Sequence, residues 1–176
     1  YGDEGIVITY WFGDEEIVHV PEEIDGKKVV NVANAIMRKY GDTNDTNHNL
    51  GYLPPKIKEL YFPEDFQEIH CGFDHFEALE KIELPKSQTV IQYCAFKHCL
   101  SLKEFTCPDG ITIIDGYAFS NCESMTSFTF NNSLKTIEKD AFNGCKSLEK
   151  LEFPDTLESI GVQSFQSCKS LNEVNI

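Results

Sequence analysis

A phrase that returns every 23 residues constrains this chain more than any other feature. "AFKHCLSLKEFTCP" (Ala95 to Pro108) comes back as "AFSNCESMTSFTFN", as "AFNGCKSLEKLEFP" and, in part, as "SFQSCKSLNEVNI". Aligned on phenylalanine, Phe73, Phe96, Phe119, Phe142 and Phe165 stand 23 apart. Fixed offsets carry further apolar columns. One holds Phe76, Cys99, Cys122, Cys145 and Cys168, and the next Leu79, Leu102, Met125, Leu148 and Leu171. Then come Ile82, Phe105, Phe128, Leu151 and Val174, followed by Leu84, Cys107, Phe130, Phe153 and Ile176. Proline closes the phrase at Pro85, Pro108 and Pro154, with Asn131 in its place once, and Ile91, Ile114, Ile137 and Ile160 follow. Leu60, Phe62, Pro63 and Ile69 fit the same frame with one residue missing before Phe73.

A unit this small cannot bury its own apolar side, so the units must stack and merge their columns into one core. The outcome is a solenoid. The alternation in "LEKIELP" has the period of a strand and predicts one rung of a parallel sheet per unit. "YAFSNC" carries Ala118, Phe119 and Cys122 at helical spacing, which predicts a short α or 3₁₀ turn opposite the sheet. Proline ends each rung because it has no N–H for the ladder. The fold class is therefore an α/β repeat solenoid forming a single domain over 1–176. Its expected parts are a capping strand segment over 1–20 ("GIVITYW"), an opening unit over 21–40, an inserted loop over 41–56, and repeats over 57–176 with the last incomplete. The first apolar columns are placed at Val20, Val29, Val32 and Ile36.

The pattern "IxxxAFxxCxSLxxLxFP" resembles the BspA-like family of leucine-rich repeat proteins. The likeness runs from Leu60 to Ile176, and "VHVPEEIDGKKVVNV" is similar to the family's opening unit. Departures are Phe76 for Cys, Asn131 for Pro, Ser164 for Ala and Ile36 for Phe. The resemblance implies a right-handed superhelix with the parallel sheet on its concave face. It also implies a cell-surface or secreted recognition module that binds a protein or peptide, such as a host extracellular protein, in the manner of an adhesin.

Charge narrows the partners. Asp and Glu number 29 against 15 Lys and Arg, for a formal charge of -14. Nucleic acid is excluded as a general partner, since phosphate binding needs clustered cations and the longest basic run is "GKKV". An anionic bilayer would repel the chain, and no stretch approaches the roughly 18 apolar residues of a membrane helix. The chain opens at "YGDEG" without Met or a signal peptide, so a mature product or an engineered fragment is expected, and the extracellular or cell-surface location is what the resemblance implies. "LNEVNI" breaks off inside a repeat, and a continuation past Ile176 is expected.

On each rung the residues beside the buried one point outward. These are Glu59 and Tyr61, Lys81 and Glu83, Glu104 and Thr106, Ser127 and Thr129, Lys150 and Glu152, Glu173 and Asn175. They form the candidate partner-binding face, with Tyr61 as an aromatic anchor. The alternatives are an ordinary solvated sheet face, or repeats that only space apart other parts of an envelope protein. The segment "YGDTNDTNHNLGYLPP" (Tyr40 to Pro55) has turn chemistry and a length common in functional loops. It lacks the glycine and closing glutamate of a calcium loop. "NDT" at Asn44 and "NNS" at Asn131 match the glycosylation acceptor triplet.

The seven cysteines do not read as a disulfide framework. Those at 99, 122, 145 and 168 share one apolar column, and Cys107 replaces a Leu or Phe. Stacked side chains point the same way, which suits buried free thiols rather than bridges. Cys71 and Cys94 fall outside that column, each four residues before a histidine, His75 and His98. On a helical turn these two Cys and two His could offer a zinc site. A Cys71–Cys94 bridge is a lesser alternative. Cys71 beside His70 or His75 is the best candidate for a reactive thiol. No phosphate loop, "HExxH" or "GxSxG" is present, and the chain is read as non-catalytic.

Overall fold

Alternation writes the first ladder. The central rungs each place one apolar residue between two polar ones, so the centre is buried and the flanks are exposed. By contrast, apolar Ile17 flanks the first rung, and Val174 at the centre of the last is exposed. The computed structural model describes residues 6–8, 15–32, 56–63, 66, 69 and 73–175. Within them the rungs are β2 (Ile17–His19), β5 (Glu59–Tyr61), β6 (Lys81–Glu83), β8 (Glu104–Thr106), β10 (Ser127–Thr129), β12 (Lys150–Glu152) and β14 (Glu173–Asn175). Pairing is parallel and in register: Val18 with Leu60, Leu60 with Ile82, Phe105 with Phe128, Leu151 with Val174. The protein is a parallel-sheet solenoid. Ile36, Asn44 and nearly all of the expected inserted loop lie outside the described residues.

A second parallel ladder, which the sequence pattern does not predict, runs beside the first. Its strands are β7 (Val90–Ile91), β9 (Ile113–Ile114), β11 (Thr136–Ile137) and β13 (Ser159–Ile160). Ile91, Ile114 and Ile137 are its buried members, the isoleucine column that follows the proline. At the amino-terminal end β1 (Ile6–Ile8) lies parallel to β4 (Lys27–Val32), which pairs antiparallel with β3 (Glu23–Ile24). The β3–β4 hairpin turns on Asp25 and Gly26 at φ 53° and 74°. Two successive positive φ angles make the primed turn that Asp-Gly favours.

The short helices expected around "YAFSNC" are not formed, and no helix occurs among the described residues. The reason lies in the backbone. Cys94, Tyr117, Asp140 and Gln163 form one left-handed column, and His98, Asn121, Gly144 and Ser167 form another, with φ between 55° and 80°. Two such residues per unit break any helical run. Backbone N–H groups then alternate in direction. Those of Ala95, Lys97 and Cys99 turn back to Gln92, Cys94 and Phe96, while those of Cys94, Phe96 and His98 reach Gly116, Ala118 and Ser120 of the next unit. This arc thus adds a third set of bonds between turns.

The phenylalanine column is the spine of the core. Ring centroids from Phe73 to Phe165 stand 5.6, 5.1, 5.3 and 5.2 Å apart, with planes within 20°. Phe76 fills the cysteine column fully buried, so that departure costs no packing. The thiols of Cys99, Cys122, Cys145 and Cys168 point to the Phe carbonyl of the preceding unit at 3.1–3.2 Å. A cysteine here is both a small apolar filler and a weak donor. Cys94, Cys99, Cys107, Cys122, Cys145 and Cys168 are all free thiols.

Two polar residues in apolar columns repair irregularities. In the unit that lacks a residue before Phe73, a side chain engages both ends of the Ile69 peptide. Gln88, buried in the column of Ile111 and Leu134, accepts from Ile69 N–H at 2.8 Å and donates to Ile69 O at 3.1 Å. Asn131, where proline is usual, donates to the carbonyls of Pro108 and Ile111 and accepts from Ser133 N–H. Its side chain is buried, so the Asn131 triplet is not displayed as a glycosylation acceptor.

Candidate recognition face and histidine cluster

The outward positions of the rungs fall into two columns, with no register shift within each paired set β2–β5–β6, β8–β10 and β12–β14. These sets pack against one another at β6/β8 and β10/β12 without ladder pairing. One column runs Glu59, Lys81, Glu104, Ser127, Lys150, Glu173. The other runs Tyr61, Glu83, Thr106, Thr129, Glu152, Asn175. Glu59 and Tyr61 are half-buried and the remainder exposed. All the predicted face residues therefore share one surface.

Their chemistry divides along the ladder. At the amino-terminal end Tyr61 stacks on His19 at 4.8 Å and donates to Glu59 at 2.6 Å. The Lys81 ammonium lies 5.3 Å from the Tyr61 ring centre and 2.9 Å from Glu83. The hydrogen bond to Glu59 raises the proton affinity of the Tyr61 phenol. At the other end Lys150 lies 2.9 Å from both Glu152 and Glu173, and its hydrogen bond pulls the Glu173 carboxyl below its usual range. Between these clusters Glu104, Thr106, Ser127 and Thr129 make no side-chain hydrogen bond or ion pair with described residues. The middle of the face is a strip of short hydroxyl side chains and one carboxylate, open to a partner. Elsewhere, opposite charges pair across turns at a spacing of 23, as in Lys103–Glu80 and Lys146–Glu123, both at 2.7 Å. Such exposed pairs contribute little stability each.

The residues proposed for zinc separate. His75 and His98 stack with ring centres 4.3 Å apart and planes within 17°. They do so as successive left-handed residues of the arc, not on a helix. The compact group of potential ligands is Asp74, His75 and His98. Cys94 stands outside it, and Cys71 and His70 lie outside the described residues. Burial raises the Cys94 thiol above its ordinary range, the opposite of activation, and lowers the proton affinity of His98 with His75 adding to the effect. Asp74 was missed because the 23-residue frame aligns it with Lys97, which has no ligand chemistry in common. Its place next to His75 was the available signal.

Residues 69–176 match the model of the BspA type leucine-rich repeat region, in six copies. The chain belongs to the BspA type leucine-rich repeat family. No curated protein matches it. Among solved structures, this family member is similar to a leucine-rich cell surface protein from Faecalibacterium prausnitzii at 20% identity and a TM-score of 0.69, covering 99% of this chain and 51% of that one. It is similar to the leucine-rich repeat protein of T. pallidum at 25% identity and TM-score 0.65, over 96% of this chain and 84% of that one. The pneumococcal vaccine antigen PcpA aligns at 21% identity and TM-score 0.64, over 97% of this chain and 42% of that one. The chain spans about half the length of several such relatives, 47% of a leucine-rich repeat protein from Bacteroides ovatus among them.

Proposed function

We propose that this BspA type repeat chain is a non-catalytic recognition module of a cell-surface or secreted protein, and that it binds a protein or peptide on its rung face. The observation that carries the reading is the division of that face. Two internally paired charge clusters flank a strip around Glu104, Thr106, Ser127 and Thr129 whose polar groups are unengaged. Short side chains allow a partner's backbone to approach closely, and the hydroxyls can donate or accept. Tyr61, held by His19, Glu59 and Lys81, supplies a rigid aromatic contact of the kind that dominates interfaces. On this reading the rung face is the concave side of the solenoid, along which contact extends over several repeats.

The surface location is supported by the description of the F. prausnitzii neighbour as a cell surface protein and of the pneumococcal neighbour as a vaccine antigen. An extracellular protein of a host is the partner class that fits. The test is capture from extracellular-matrix and envelope extracts on immobilised chain, against a Glu83→Lys, Glu104→Lys, Glu152→Lys variant. A protein retained by the parent and lost by the variant is expected. Equal capture by both, or no specific capture, would instead favour a repeat that only spaces apart its neighbours.

A further inference from the structure

We propose that Asp74, His75 and His98 form a binding site for a divalent transition-metal ion of the zinc class, with Asn121 as its outer support. His75, His98 and Asn121 occupy one left-handed column of the arc, at φ 63°, 60° and 61°. Their side chains are therefore stacked in successive turns by the backbone itself. Asp74, the residue before His75, places Oδ1 3.6 Å from His75 Nε2 and 3.7 Å from His98 Nδ1. One ligand atom from each of the three lies within 4.8 Å of the others. Four-coordinate zinc with bonds of about 2.0–2.2 Å holds its ligand atoms about 3.4 Å apart. The carboxylate edges thus need to close by only a few tenths of an ångström, while the histidine edge closes further as one imidazole turns out of the stack and brings both ring planes onto the ion.

A second observation points to a ligand. Asp74 Oδ1 and His98 Nδ1 are both buried and neither has a hydrogen-bond partner. They face one another at a separation too long for a direct bond. Buried polar atoms without partners are costly and call for an explanation. A cation seated between them satisfies both at once, with His75 as the third ligand and solvent in the remaining position. The far side of His98 is also prepared, since Nε2 lies 3.2 Å from the Asn121 amide. Metal-bound histidines use the other ring nitrogen for such a contact. A half turn of the amide presents Oδ1, which accepts from Nε2–H and leaves the Nδ1 lone pair toward Asp74. The set is one carboxylate and two imidazoles, which suits zinc or a neighbouring first-row ion rather than calcium. This site lies on the arc and is independent of the rung-face reading.

The test is calorimetric titration of zinc chloride into the full chain under reducing conditions, with cobalt(II) absorption spectra on the same protein. One equivalent of zinc is expected. Cobalt should give ligand-field bands without thiolate charge-transfer absorption. His75→Asn and His98→Asn should each weaken binding more than 10-fold, and Asn121→Gly by roughly 10-fold. Cys94→Ser should leave it unchanged. Asn and Gly are chosen because Asn121 and Gly144 already hold this left-handed column, so the arc should still form. No zinc bound above background overturns the proposal. So does binding that survives both histidine substitutions, or a thiolate band in the unmutated protein, which needs no variant to be read.

Discussion

At the residue scale, the exceptions to the repeat tell more than its consensus. Gln88→Leu would restore the usual residue of its column, yet it removes both partners of the buried Ile69 peptide. A buried polar group left unpaired costs about 1–3 kcal/mol. The substitution should therefore destabilise the protein by that much or more, seen as a lower urea midpoint, and a neutral or stabilising effect would contradict the repair role. The thiols set a second prediction. Burial pushes Cys107 from 9.0 up to about 12 and raises Cys99 and Cys122 as well, while the hydrogen bond with Cys168, with burial added, raises Cys145. The folded state keeps these protons after the unfolded state has lost them. Their contribution is thus complete below about pH 9 and declines as pH rises from there toward 12. Urea midpoints should be flat through neutral pH and fall above about 9, with native thiols slow to alkylate until the chain unfolds.

At the element scale, rungs were legible and arcs were not. Ile82 between Lys81 and Glu83 has a period of two and sits on a sheet, as the pattern demands. The second ladder has strands of two residues, too short to show any period, so its isoleucine column was visible while its strands were not. The arc misled for a different reason. Ala118, Phe119 and Cys122 face one way in a helix and equally in a chain of tight turns. What separates the two is the sign of φ at Tyr117 and Asn121, and neither is a glycine that would announce it. The histidine stack followed from the 23-residue frame, whereas its carboxylate partner did not. Core packing at this scale is tested by Phe142→Ala. Its ring lies between Phe119 and Phe165, and such truncations cost about 3–5 kcal/mol. Because each turn touches only its neighbours, amide exchange should speed up most in the adjoining repeats and fade toward Leu60. A uniform increase along the whole chain would contradict nearest-neighbour stacking.

At the scale of the whole molecule, repetition supplies a scaffold and leaves its exposed positions free to vary. The apolar columns, which the sequence displays openly, determine the family and the solenoid. The recognition strip around Thr106 and Ser127 carries no motif. It becomes visible only when register shows which polar groups already have partners. The net charge of -14 makes any charge reversal change association broadly as well as locally. The decisive measurement therefore compares two variants with the same charge change. One carries Glu83→Lys, Glu104→Lys and Glu152→Lys on the rungs. The other carries Asp109→Lys, Asp155→Lys and Glu158→Lys on exposed positions away from them. Dissociation constants for a captured partner should rise at least 10-fold for the rung variant and stay near the parent value for the other. Equal losses in both, or a loss confined to the second, would contradict recognition by the rung face.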